Sequence, residues 1–163
     1  MVESDRARFV ELFTDPEFMV FFGVQGAEAA NRRVEHLLAL NAQVSFAKQP
    51  IILRESGAIV GYAGVDWFEL DGERELEFGY RLVPDARGAG YATEAGLALL
   101  EVARDEFDGT IYALIHEVNT ASISTIGKLG FEYWKHAPID GELRNFYRWQ
   151  SGTSPSGDSI GLQ

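Results

Sequence analysis

Cysteine is absent from the 163 residues. Disulfides, thiolate nucleophiles and cysteine metal sites are therefore excluded. Histidine is scarce: His36, His116 and His136 stand apart, without metal-ligand spacing, and none is assigned a catalytic role. The carboxylates form no calcium-loop or zinc-helix pattern, so no metal is expected. No apolar run approaches the roughly 20 residues that a membrane helix needs. The opening Met1-Val2-Glu3-Ser4-Asp5-Arg6 carries no signal-peptide pattern. The expectation is a cytoplasmic protein without a membrane partner. Positive charge is also short: 14 Lys and Arg stand against 25 Asp and Glu, a formal net charge of -11. That argues against a nucleic-acid binder, which needs a basic face. It leaves cationic partners in play, amines included.

What is present is ordinary globular material. The chain is 46% hydrophobic, enough for one domain with one sizeable core over 1–150. The stretch 151–163, "SGTSPSGDSIGLQ", has little to bury and is expected to be disordered. A helix is expected over 4–13, capped by Ser4, with Phe9, Leu12 and Phe13 at helical spacing. Asp15-Pro16 is a second helix-start signal. "FMVFFGVQG" (18–26) is core or the wall of an apolar pocket. Residues 27–40 read as an amphipathic helix. From 50 to 83 the chain reads as a three-stranded antiparallel meander with a hairpin tip at Asp71-Gly72. In its last strand Leu76, Phe78, Tyr80 and Leu82 share one face; Glu75, Glu77, Gly79 and Arg81 share the other. A helix follows over 91–107 and a strand over 110–118. A helix capped by Asn119 then ends at Gly130, and a last hairpin turns at Asp140-Gly141. The order α-α-β-β-β-α-β-α-β-β makes an α/β (α+β) sandwich on a mixed sheet.

The segment "VPDARGAGYATEA" (83–95) carries the chemistry. It lacks both the G-x-G-x-x-G dinucleotide pattern and the nucleotide P-loop. Its small residues still let a backbone approach a diphosphate, and the first N–H groups of the following helix have no internal partner. A plain strand-to-helix turn reads the same way on this segment alone.

The wider context resolves that ambiguity. "EFGYRLVPDARGAGYATEA" followed by "NTAS" and "KLGF" resembles the GNAT superfamily of acyl-CoA-dependent N-acetyltransferases, and within it the RimJ/RimL-like branch. The match is specific over 76–131. The resemblance implies a mostly antiparallel mixed sheet flanked by helices, and acetyl-CoA as co-substrate. It implies pyrophosphate on the N–H groups of Arg87, Gly88, Ala89, Gly90, Tyr91 and Ala92. It also implies pantetheine beside the backbone of Leu82 and Val83 and against Asn119. An amine then attacks the thioester directly. Glu77 is the candidate base, because an ammonium has no lone pair. Ser122 is the candidate partner of the CoA sulfur, since the helix after Asn119 has no tyrosine. Acceptors are primary amines, a protein N-terminus or a small molecule, in a pocket drawn from 18–30 and 136–143. Trp67, Phe68, Phe21 and Phe22 are core or pocket lining. A homodimer is an open option. Two alternatives stand: a catalytically inactive acyl-CoA-binding module acting as sensor or docking domain, or an enzyme for another acyl-CoA. A donor such as succinyl-CoA would want a cation deep in the cleft, and the sequence identifies none there. The branch also opens with a strand before its first helix, which has no counterpart here, so one sheet edge is expected to be open or covered by a partner.

Overall fold

The computed structural model describes residues 1–152; the disorder expected over 151–163 lies outside the described residues except at 151–152, which form a turn. The chain opens with a short 3-10 turn (Glu3–Asp5), α1 (Arg6–Thr14) and α2 (Ala27–Asn41). Ser4 does not cap α1 as expected. It sits inside the 3-10 turn, whose start is held by Asp5 Oδ2 accepting from the Val2 N–H at 2.8 Å. Asp15-Pro16 starts no further helix either. Asp15 Oδ1 accepts from the N–H groups of Glu17 and Phe18 at 2.7 and 3.0 Å, closing turns that run only to residue 22. The reason is packing. Phe18 and Met19 are buried, while Val20, Phe21, Phe22 and Val24 are exposed, a split that no amphipathic helix would give.

The remaining elements are β1 (Gln49–Ile52), β2 (Ile59–Leu70), β3 (Glu73–Leu82), α3 (Tyr91–Glu106), β4 (Thr110–Ile115), α4 (Thr120–Lys128), β5 (Glu132–Ile139) and β6 (Glu142–Gln150). This is the order read from the sequence. Both hairpin tips adopt the positive φ that their Asp-Gly pairs favour: 54° and 86° at Asp71-Gly72, 50° and 81° at Asp140-Gly141. The sheet runs β1-β2-β3-β4-β6-β5. Every neighbouring pair is antiparallel except β3 and β4. β1 is the edge on its side of the sheet.

Helices cover both faces. Leu76, Phe78 and Leu82 point into one core with Leu100 of α3, Ile111 of β4 and Ile126 of α4. A Cβ on Gly96 would lie 2.7 Å from Leu129 and 3.2 Å from Phe78, so glycine lets α3 press close there. The opposite face carries a second core of Phe9, Phe13, Phe18, Val34 and Leu37 around Tyr62. Burying each of these large side chains contributes about 1.5–3 kcal/mol. Gly64 (φ 135°) permits one more close approach: its Cβ would sit 2.3 Å from the Ala47 carbonyl. The chain at 46–48 therefore lies against β2, with the Lys48 N–H donating to Val65 at 3.1 Å. This contact delivers Lys48 to the middle of the sheet.

Candidate active site

β3 and β4 pair at only two positions, Leu76 with Ile111 and Glu77 with Tyr112. Both strands continue beyond that point on their outer sides, β3 with β2 as far as Leu82 and β4 with β6 as far as Ile115. The sheet thus opens into a V whose crotch is Glu77. On the outer side the Val83 N–H donates to Val60 at 2.9 Å. Antiparallel alternation then turns the Leu82 N–H away from β2 and into the opening. The Leu82 carbonyl accepts from Arg87 Nε at 3.1 Å.

Beyond the V, Pro84–Ala86 makes a 3-10 turn and α3 begins at Tyr91. Gly88 and Gly90 have φ of 76° and 87°, and a Cβ on either would meet nothing within 4 Å. Their side of the loop is open. None of the N–H groups from Gly88 to Ala92 has a hydrogen-bond partner among the described residues. Five amides that lead into a helix N-terminus are therefore without an internal partner, which suits a diphosphate. Arg87 is different. Its N–H donates to Pro84 at 3.0 Å, and its guanidinium bridges the carbonyls of Leu82 and Glu17 (2.7 Å to the latter). It braces the loop against the α1–α2 connection and adds positive charge from the flank.

The face of β3 toward α1 and α2 holds a cluster of charge. Asp66, nearly buried, stands directly across from Glu77. Its carboxylate forms an ion pair with Arg33 at 2.8 Å, lies 2.7 Å from His36 Nε2 and 3.6 Å from Lys48 Nζ, and accepts from the Trp67 N–H at 2.8 Å. Burial alone would raise the Asp66 pKa, yet Lys48, Arg33 and His36 together hold it below the ordinary value. Glu77 goes the other way. It keeps a small accessible surface but is enclosed by protein, and this desolvation pushes its carboxyl above the usual range. Lys48 opposes that rise and the Asp66 charge adds to it. A carboxylate of raised basicity at the crotch of the V can take a proton from an ammonium or through water.

Across the opening, Asn119 Oδ1 accepts from the Ser122 N–H at 3.2 Å, capping α4 as expected. Tyr80 reaches over from β3 and donates its hydroxyl to Ser122 Oγ at 3.1 Å. Sequence reasoning placed Tyr80 only on the core-facing side of its strand. It missed Arg33, Lys48 and Asp66 altogether, placed Arg81 on the face of Glu77 without a role, and gave His36 no partner. One of these was legible: the two-residue tip at Asp71-Gly72 sets every cross-strand pair, so Asp66 facing Glu77 followed from the hairpin. Phe18 and Phe22 stack on Arg81, with the guanidinium 5.7 and 3.9 Å from their ring centres, so Phe22 lines this side of the site. Trp67 packs against the other core and Phe68 against Tyr112.

A mixed sheet split between two parallel strands, with a free-amide loop opening a helix beside the split, is the arrangement that the resemblance to the GNAT superfamily implied. The chain belongs to the GNAT acetyltransferases: the family described as "Acetyltransferase (GNAT) domain" matches residues 1–132. The uncharacterised Bacillus subtilis protein YkkB is 28% identical over 83% of this chain and 80% of its own length. An L-methionine sulfoximine/L-methionine sulfone acetyltransferase of Pseudomonas aeruginosa is 34% identical over 58% of this chain and 55% of its own. Among solved structures, Salmonella typhimurium yncA, determined with acetyl-CoA, is 20% identical with a TM-score of 0.69, covering 98% of this chain and 95% of that one. A ribosomal-protein-S5-alanine acetyltransferase from Vibrio fischeri is 16% identical with a TM-score of 0.75, covering 93% and 91%. No helix among the described residues is long and apolar enough to cross a membrane.

Proposed function

We propose that this protein transfers an acetyl group from acetyl-CoA to a primary amine, a small molecule or a protein N-terminus, by direct attack on the thioester. The observation that carries the reading is Glu77, a carboxylate of raised basicity at the point where β3 and β4 part. The Gly88–Ala92 amides are free to hold a diphosphate, and acetyl-CoA supplies the activated acyl group. The Leu82 N–H points into the opening, where it can polarise a thioester carbonyl. Glu77 removes the amine proton, so that nitrogen bonds to the carbonyl carbon as the C–S bond breaks. Ser122 donates its proton to the departing sulfur and accepts one from Tyr80, to which it is already hydrogen-bonded. Asn119 fixes Ser122 at the helix start and leaves its amide nitrogen for the pantetheine arm. The motif "EFGYRLVPDARGAGYATEA" supports the RimJ/RimL-like branch, and the likeness to the Vibrio S5-alanine enzyme is compatible with it.

Two measurements test this. Acetyl-CoA at 100 times its Kd should stabilise the protein by about 2.7 kcal/mol. Thiol release over a panel of primary amines should show turnover. No stabilisation by acetyl-CoA, succinyl-CoA or CoA overturns the loop assignment. Stabilisation with no turnover on any amine returns the protein to a binding module.

A further inference from the structure

The acceptor side of β3 is built for an anion, although the chain as a whole carries -11. Three cations, Arg33, Lys48 and Arg81, cluster around two carboxylates, Asp66 and Glu77. Setting His36 aside, this leaves one positive charge even with both carboxylates ionised. The cations are not equivalent. Arg33 and Lys48 both pair with Asp66. Arg81 forms no ion pair among the described residues. Its guanidinium stacks on Phe22 at 3.9 Å, lies 5.7 Å from the rings of Phe18 and Tyr62, and touches the Met19 sulfur. Its Nε is buried with no hydrogen-bond partner. Among the described residues the other buried side-chain atom without one is Gln25 Oε1, on the connection that covers Arg81. Glu77 acts on it electrostatically without closing to an ion pair, and a guanidinium fork matches a carboxylate in two-point contact.

The placement also fits. Glu77, Gly79 and Arg81 alternate onto one face of β3. Gly79 puts no side chain between them, and buried Lys48 lies over that position, its Cε and Nζ 3.8 and 3.9 Å from where the Cβ would be. Four residues of strand separate the Cα atoms of Glu77 and Arg81 by about 13 Å, and both long side chains shorten the gap. At the rim Phe22 is 63% exposed, with Val20 and Phe21 beside it.

Building on the acetyl-transfer reading, we propose that Arg81 is the specificity residue for the acceptor. It holds the carboxylate of a compact amino acid whose amine faces Glu77 and whose apolar side chain meets the Phe22 rim. This differs from the cationic acceptor that net charge alone favours, because the field in a cleft is set by its own lining.

The test compares matched acceptors. Thiol release is measured with saturating acetyl-CoA for the natural L-amino acids and for their amides, which keep the amine and lose the carboxylate. The best amino acid should exceed its amide at least about tenfold in kcat/KM, the value of one charge-assisted pair. Arg81→Met should erase that ratio and leave the amide within about threefold of its original rate, and Arg81→Lys should keep part of it. Equal rates for acid and amide in the native protein overturn the proposal. So does an equal fall for both in Arg81→Met, which would make Arg81 only an anchor for the α1–α2 connection. Acetyl-CoA binding without turnover on any amino acid also overturns it. A thermal-shift comparison of succinyl-CoA with acetyl-CoA finds the other source of a carboxylate: an Arg81-dependent preference for succinyl-CoA would put the anion on the donor and defeat the acceptor assignment. Failure of every CoA species to bind is the separate result that defeats the underlying acetyl-transfer reading.

Discussion

The two sides of the V are made of different material. The loop at Gly88–Ala92 offers backbone: free amides, two glycines at positive φ and no side chain in the way. The face toward α1 and α2 offers side chains gathered from four places, Arg33 and His36 on α2, Lys48 before β1, Asp66 on β2, and Glu77 and Arg81 on β3. On the proposed reading, backbone amides bind what every CoA donor shares, and side chains set basicity and choose among acceptors. The first should tolerate any change that spares its shape; the second should respond to single charges.

The sharpest break in this contrast is at the loop. Gly90→Glu places bulk and negative charge where the glycine now faces open space, and should abolish acetyl-CoA stabilisation in a thermal-shift assay. Unchanged affinity would remove the loop from the site. Next comes Glu77→Gln, expected to lower turnover at neutral pH about 10²–10⁴-fold while acetyl-CoA affinity stays within about twofold. Because burial raises the Glu77 pKa, the acid limb of the native kcat/KM profile should lie above the ordinary carboxylate value of about 4.3, and the variant should lose that limb. Turnover that survives across pH would show that Glu77 is not the base.

Third is Asp66→Asn, which leaves Arg33 and Lys48 without their counter-charge and should cost about 3 kcal/mol at neutral pH by denaturant melt. The sign follows from the depressed pKa. The stability this carboxylate contributes is present above its unfolded value of about 3.9 and is lost as pH falls through the lower folded value. Glu77, raised, acts oppositely, its ionisation costing stability as pH climbs. A variant as stable as the native chain, with the same acid dependence, would make the network incidental. The smallest effect is expected at Ser122→Ala, a drop in kcat of about tenfold with unchanged stability. An unchanged kcat would assign Ser122 to capping alone.

The fold was legible in order because each element carried a local signal: alternation in β3, helical spacing in α3, Asp-Gly at both hairpin tips, Asn119 before α4. Two misreadings had sound local signals: Ser4 is no cap because the chain enters α1 through a 3-10 turn, and Asp15-Pro16 starts no helix because Phe18 and Met19 turn inward. In the site the same division holds. Gly88 and Gly90 announced themselves because an open turn at positive φ is written in glycine. Lys48 could not, since its place depends on Gly64 admitting the 46–48 segment against β2.

The sequence by itself determined the element order, the glycine cradle, the Asn119 cap and the facing of Asp66 and Glu77, because each rests on neighbours within a turn, a strand or one hairpin. The tertiary structure decided the rest: where β3 and β4 part, which N–H faces the gap, how Asp66 gathers Arg33, His36 and Lys48, and that Arg81 forms no ion pair among the described residues. Those features arise from contacts among segments tens of residues apart. Charge and basicity in a cleft depend on distance and burial, which only the folded chain brings into being.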